Sequence, residues 1–314
     1  MPLPKPRAGE SSNQFVSRCM IDDTSMSEYP NRQQRYAVCI SLSKDRKEII
    51  KQAKRKIASN FKKQVMLAEK KNYPVAYNYY LGEYEKASKM FIENPIANNQ
   101  NFNLLFSEVD TKKMYAQMYK QTGLRFAKWY ADTFRQVAKK ELTPSVIEQN
   151  MERFATEKEN YLALVNEVSA VSGVAKATLK KVLTELIADE TFMSLGEEAR
   201  VREIMKRLKF KARWMARRIV RTETTASANF GIQLSASDIY GDDNLVKEWI
   251  ASDGSRTRDT HRTASSQYSN NPIPMNEPYL VGGSKMMFPS DTSLGARAKE
   301  VVNCRCVSIP FIPE

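Results

Sequence analysis

Hydrophobic residues recur at helical spacing through most of this chain. Ala175, Leu179, Val182, Leu183, Leu186 and Ile187 fall at i, i+4, i+7, i+8, i+11 and i+12. Val201, Ile204, Met205, Leu208, Ala212, Met215, Ala216 and Ile219 repeat the pattern. Each set lies on one face of an amphipathic helix and reads as a core stripe. Between residues 46 and 220 the only glycines are Gly82, Gly123, Gly173 and Gly196, and the only prolines are Pro74, Pro95 and Pro144. These place the helix breaks. Asn72-Tyr73-Pro74 opens a new helix, residues 94–101 form an Asn-rich loop, and Thr143-Pro144 supplies an N-cap with proline at the first helical position.

The flanks read differently. Residues 1–12 are a Pro/Ser/Gly-containing leader, and residues 13–43 predict a small helical hairpin broken at Tyr29-Pro30-Asn31. Phe15, Cys19 and Met20 share one face of its first helix, and Tyr36, Cys39 and Ile40 one face of its second. After residue 230 come six of the eleven glycines, with short apolar runs at Tyr279-Leu280-Val281 and Val301-Val302. Gly231 or Tyr240-Gly241 ends the helix that enters this part. The expected fold is mainly α with a C-terminal α+β domain: an extended helical N-terminal and middle region, then a compact module with short strands. The parts are residues 1–45, 46–220 and 221–314.

Composition narrows the class. A 42% hydrophobic and 27% charged chain is ordinary for a folded domain. It holds no apolar run of about 18 residues, so no membrane span is expected. The first residues lack the apolar segment of a secretory signal, which predicts a chain made and used in a cytoplasm. A reducing compartment keeps four cysteines as thiols. Cys19 and Cys39 can face each other across the hairpin turn and read as packed thiols rather than a disulfide.

Charge is uneven. The net charge is +13, and residues 46–220 alone hold 34 Lys/Arg against 20 Asp/Glu. Such a middle region implies an anionic partner, nucleic acid or an acidic protein surface. Residues 206–221 carry eight cations and no acid. Arg202, Lys206, Lys209, Arg213 and Arg217 form a ridge beside the apolar stripe, at a pitch that can follow a phosphate backbone. Trp214, within it, reads as a packing anchor. A solvated Lys-rich face is the plain alternative.

The terminal part gathers the chemistry-bearing residues, including the only histidine, His261. Zinc would require Cys304, Cys306, His261 and an aspartate drawn from about fifty residues apart. An extended Cys-x-Cys directs its thiols to opposite faces, so both reach one ion only in a turn. The spacing therefore favours buried thiols beside a hydrogen-bonded histidine. Hydrolysis would need a placed nucleophile, and Ser265, Ser266 and Cys304 qualify by type alone. There is no Gly-rich phosphate loop. A fold-locking network fits better, with Arg256, Arg258 and Arg305 paired to Asp253, Asp259 and Asp291, and His261 held by a carboxylate. No catalytic residue and no cofactor is expected.

The ordered set Arg221-Thr-Glu223-Thr, Asn229-x-Gly231, Lys247-x-Trp249, Asp253-x-x-x-Arg-Thr-Arg258-x-x-His261, Phe288-Pro-Ser-Asp291 and Asn303-Cys304-Arg-Cys306-x-x-x-Pro310 resembles the phage Mu protein F-like family. These are minor head, or head-morphogenesis, proteins of tailed bacteriophages. The resemblance is strongest over residues 215–310. Departures are Ser290 where members often have Gly, and an Asn/Pro-rich insert at 269–278. The segment around Cys19 and Cys39 is similar to a short cysteine element of some tailed-phage head proteins. The resemblance implies a non-enzymatic, low-copy procapsid component near the portal, located in the virion and in the host cytoplasm during assembly. Its partners would be portal protein, other procapsid proteins and double-stranded DNA. The alternatives are a phage-borne enzyme or toxin-like effector using Glu223, Asp253 and His261, or a DNA-binding protein using residues 202–221.

Overall fold

The computed structural model describes residues 3–7, 10–43, 46–93, 104–134, 167–252 and 254–313. Among these are ten α-helices and, near the C-terminal end, a few short antiparallel strands. This is the predicted mainly α arrangement with a terminal α+β module. The 94–101 loop, the Thr143-Pro144 break and Asp253 lie outside the described residues, as does the side chain of Ile40. The chain divides into two compact units, Met1–Ile57 and Ala58–Glu314.

The first unit holds α1 (Ser12–Met20), α2 (Asp23–Glu28), α3 (Arg32–Ser43) and the start of α4 (Arg46–Glu93). Each short helix is started by a side chain. Ser11 and Gln14 form a reciprocal capping box on α1. Asp22 caps α2, and Asn31 accepts the Gln33 and Gln34 amides at the start of α3. Phe15, Cys19 and Cys39 make the buried core, while Tyr36 is exposed. Cys19 and Cys39 are joined in a disulfide, which corrects the expectation of packed thiols. The cause is geometric: α1 and α3 bring the two Cα atoms to 5.7 Å, within bridging range. Among the described side chains the buried core of this unit is these three residues. Closing a loop of 20 residues adds about 3 kcal/mol in the chain-entropy account.

The second unit is built on the rest of α4, α5 (Glu108–Phe134), α6 (Glu167–Ile187), α7 (Glu190–Met193) and α8 (Glu197–Tyr240). The helix start expected at Asn72-Tyr73-Pro74 is absent, because α4 runs unbroken through Pro74. An interior proline costs about 3 kcal/mol or more. Yet the buried stripe Phe61, Val65, Ala68, Asn72, Ala76, Tyr80, Tyr84, Ala87 and Phe91 keeps its period across it. Each large apolar side chain buried beyond Pro74 returns about 1.5–3 kcal/mol, so continuation wins. Asn72 is no cap. It donates from one amide nitrogen to Thr122 (2.8 Å) on α5 and Thr224 (2.9 Å) on α8, tying three helices at one buried point.

The stripes of α6 and α8 are buried as predicted, from Ala175 to Leu186 and from Ile204 to Ile219; Ile187 is 47% exposed. Helix α8 passes through Gly231 and ends at Gly241, whose φ of 75° suits glycine. One helix therefore crosses residues 220 and 221. Gly231 instead serves packing. A Cβ built there would stand 2.5 Å from the Gly123 carbonyl oxygen, so α5 and α8 touch backbone to backbone.

Behind α8 come β1 (Val246–Ile250), α9 (Asp259–Asn270), β2 (Ile273–Pro274), β3 (Tyr279–Val281), β4 (Ser284–Met286), α10 (Ala298–Val301) and β5 (Val307–Phe311). The sheet order is β2-β1-β5, all antiparallel, with Trp249 opposite Ser308. Strands β3 and β4 form a hairpin through Gly282-Gly283, both with positive φ, as a two-residue turn demands. Val301-Val302, expected as strand, is instead the end of the single-turn α10 and its C-cap. A two-residue apolar run carries no period to separate the cases. Trp249 is fully buried among Tyr268, Tyr279, Met286 and the two terminal cysteines.

Gly231→Ala is expected to cost about 1–3 kcal/mol, because the added methyl must push the Gly123 backbone away. Gly82, also helical, has open space around its Cβ position, so Gly82→Ala should be neutral or slightly stabilising. Urea unfolding of both variants checks the contrast. Equal midpoints for Gly231→Ala and wild type would show that α5 and α8 do not depend on this approach.

Candidate functional site

The site is assembled where α8, α9, α10 and the turn before β5 meet. The first helical turns of α9 carry His261 inward, and it is 1% exposed. The chain after α10 turns at Asn303, whose φ is 59°, and then brings Cys304 and Cys306 to the same place. The Cys306 amide lies against Cys304 Sγ at 3.4 Å. The Cys-x-Cys is therefore not fully extended, and both thiols face His261. His261 Nδ1 lies 3.3 Å from Cys306 Sγ and 3.6 Å from Cys304 Sγ. On the other side of the ring, Nε2 stands 3.2 Å from Glu300 Oε2, an ion-pair separation with the N–H off the hydrogen-bond line. Thr260 donates to the same carboxylate oxygen at 2.8 Å. Gly282 leaves room for this carboxylate, since a Cβ there would collide with it.

The two sulfurs are not equivalent. Burial raises the Cys304 thiol, but contact with the Cys306 thiol and with His261 outweighs it and holds Cys304 well below the usual thiol range. Contact with Cys304, then burial, pushes Cys306 well above it. Their mutual contact thus shifts the two buried thiols in opposite directions.

A cleft of about 460 Å³ opens over these residues. Its described lining includes Lys62, Arg221, Arg256, Arg258 and Arg305 with His261 and the two cysteines. Arg305 forms a bidentate pair with Glu69 of α4, at 2.8 to 3.2 Å. Arg258 donates to the Val302 carbonyl at 2.5 Å.

The network expected here exists with other partners. Asp259 pairs with Arg262 on the next turn of its own helix at 2.8 Å. Asp291 accepts the Met287 amide, the Ser293 amide and the Ser293 hydroxyl, which closes its loop. Ser290, beside it, has φ 68°. A glycine at this position would adopt this left-handed conformation without strain. His261 is held by a carboxylate, but by Glu300, which sits in the short Ala-Lys-Glu-Val helix and carries no sequence signal of its role. Ser265 accepts the Ala251 amide at 3.0 Å.

Helix α8 supplies the anchors. Asn229 donates to Cys306 O (3.1 Å) and to Thr225 O (2.9 Å), and accepts the Ser308 amide (2.8 Å). Thr225 donates to Cys304 O at 2.8 Å, and Thr222 accepts the Asn303 amide at 3.1 Å. Glu223 accepts from the Tyr119 hydroxyl of α5. The usable signal was the small, nearly uncharged stretch Thr222–Ala228 inside a helix.

The basic ridge is exposed along its length. Arg202 pairs with Glu198 and Lys206 with Glu203, each at 3.5 Å. Lys209, Arg213 and Arg217 have no ion pair among the described residues. Phe210 is 68% exposed and Trp214 51%, so Trp214 is no packing anchor; Arg218 lies 5.4 Å over its ring.

Comparison of the chain with protein-family models, curated proteins and solved structures gives no match. Among the described residues no helix is long and apolar enough to cross a membrane.

Lys247 on β1 yields a pH prediction. Fully buried, it donates to Met287 O at 2.9 Å and stands 5.0 Å from the Tyr279 ring centre. Burial lowers its pKa to about 8, partly offset by Asp291, Glu277 and Asp242. A depressed folded-state lysine penalises the fold below pH 8, and the penalty fades as pH climbs toward 10.5. Stability should therefore gain about 2 kcal/mol from this group between pH 7.5 and 9.5. Urea midpoints at the two pH values should show a smaller gain for Lys247→Met. An equal gain in both proteins would remove Lys247 as its source.

Proposed function

We propose that this chain is a minor head protein of a tailed bacteriophage: a low-copy procapsid component near the portal that assists head assembly, DNA packaging or ejection without catalysing a reaction. The observation that carries the proposal is the interlocking of the separate motifs that resemble the Mu F-like family. Asn229 reaches Cys306 and Ser308, Thr222 reaches Asn303, and Thr225 reaches Cys304. Motifs about eighty residues apart thus act as one locked unit. The enzymatic alternative asks Glu223 and His261 to work together with Asp253. Glu223 is engaged by Tyr119, and His261 by Glu300 and the two thiols. Those engagements favour the assembly role.

A second reading, DNA contact through α8, is favoured by one feature. Lys209, Arg213 and Arg217 stand exposed beside exposed Phe210 and Trp214. A neutralised phosphate makes a salt-dependent contribution.

Mass spectrometry of procapsids and virions of the encoding phage should find this chain with the portal protein, at a small fraction of the major capsid protein. Its absence from both particles would sink the assembly role. For the ridge, affinity of the purified chain for duplex DNA should fall steeply with salt. Arg213→Ala with Arg217→Ala should cut the slope of log affinity against log salt by about two. An unchanged slope removes the ridge as the DNA-binding surface.

A further inference from the structure

We propose that His261, Cys304 and Cys306 form a transition-metal site, with zinc as the fitting ion. The ligand atoms His261 Nδ1, Cys304 Sγ and Cys306 Sγ all lie within 4.8 Å of one another, and all three residues are buried. Zinc binds sulfur at about 2.3 Å and imidazole nitrogen at about 2.0–2.1 Å, usually tetrahedrally. That geometry sets a nitrogen-to-sulfur edge of about 3.6 Å. The two edges here are 3.3 and 3.6 Å. Both lie within a few tenths of an ångström of that value, and the two sulfurs lie within 4.8 Å of each other.

The surroundings are those of a ligand histidine. With Nδ1 on the ion, the ring proton sits on Nε2, and a small turn of the Glu300 carboxylate, 3.2 Å away, would bring the two onto the hydrogen-bond line. A carboxylate on the far nitrogen fixes the ring and raises its donor strength. Glu300 is 2% exposed, oriented by Thr260, and seated against Gly282, where a side chain would collide with it. Burying a carboxylate is costly unless it has a partner, and a metal-bound imidazole N–H is such a partner. Both sulfurs lie against the same His261 nitrogen and the Cys306 amide meets Cys304 Sγ, an arrangement a fully extended Cys-x-Cys cannot give.

The fourth position opens on the cationic cleft. Both thiols lose their protons on binding, so the site gains two negative charges against the ion's two positive ones. The cleft's arginines then face a neutral centre able to accept water or an anion. Metal binding does not rest on the phage assignment and is tested apart from it.

The full chain, purified under reducing conditions without chelator, should carry about one zinc per chain by mass spectrometry of the metal. Cobalt(II) should replace it and give thiolate-to-cobalt charge-transfer absorption that saturates at one equivalent. Cys304→Ser, Cys306→Ser and His261→Gln should each abolish stoichiometric binding. Glu300→Gln keeps all three ligands and should weaken zinc affinity about 10–100-fold in competition with a chromophoric chelator. If the ligand variants fail to fold, wild type with cobalt(II) still decides. No thiolate-to-cobalt band, or no saturation at one equivalent, overturns the site. Unchanged affinity in Glu300→Gln overturns the positioning role of Glu300.

Discussion

The terminal module is fixed to the helices through the side-chain amide of Asn229. Its nitrogen serves the Cys306 and Thr225 carbonyls and its oxygen accepts the Ser308 amide, all in a fully buried setting. Each backbone group left unpaired there would cost about 1–3 kcal/mol. The bonds sit on both sides of the entry to β5, so they set where that strand begins relative to α8. Once β5 is placed, its pairing with β1 fixes Trp249 opposite Ser308, and the turn before it fixes both cysteines. Position and chemistry of the cluster follow from one amide.

That amide needs a helix that can be buried on all sides, and the sequence of α8 provides it. Thr222, Thr224, Thr225, Ala226, Ser227 and Ala228 are small enough for α4, α5 and the module to approach together. Their hydroxyls are paired: Thr224 accepts from Asn72, Ser227 donates to the Tyr119 carbonyl, and Thr225 serves the module. Gly231 then allows contact with Gly123 itself. A larger or unpaired residue in this stretch would force the layers apart or strand a polar atom. The first half of the same helix, with its apolar stripe and exposed basic ridge, follows ordinary amphipathic rules. The change from one rule to the other falls near residue 220.

Periodicity therefore made the helices legible, and the switch in glycine use made the module legible. What it missed has physical causes. At Pro74 a local rule was overruled by a core stripe that continues on both sides. Cys19 and Cys39 were placed facing each other, but whether two sulfurs bond depends on a Cα separation that spacing does not give. The arginine partners were sought among aspartates nearby in sequence, whereas Arg305 reaches Glu69 from 236 positions away. Glu300 was invisible because nothing marks a single acid in a four-residue helix as the partner of a histidine. Spacing alone leaves the Cys-x-Cys free to be extended or turned, and only the packing of both sulfurs against His261 settles which it is.

Regional charge counts mislead for a related reason. Residues 221–314 are slightly acidic in total, with 9 Lys/Arg against 11 Asp/Glu. Yet Glu248, Asp291 and Glu300 are buried, while Arg256 is exposed and Arg221, Arg258 and Arg305 reach the cleft wall. Acids spent inside the fold do not shape the field outside it. The module therefore lines its cleft with cations despite its negative sum. The distribution of charge between interior and surface, and not its sum, determines the field each part of this chain presents.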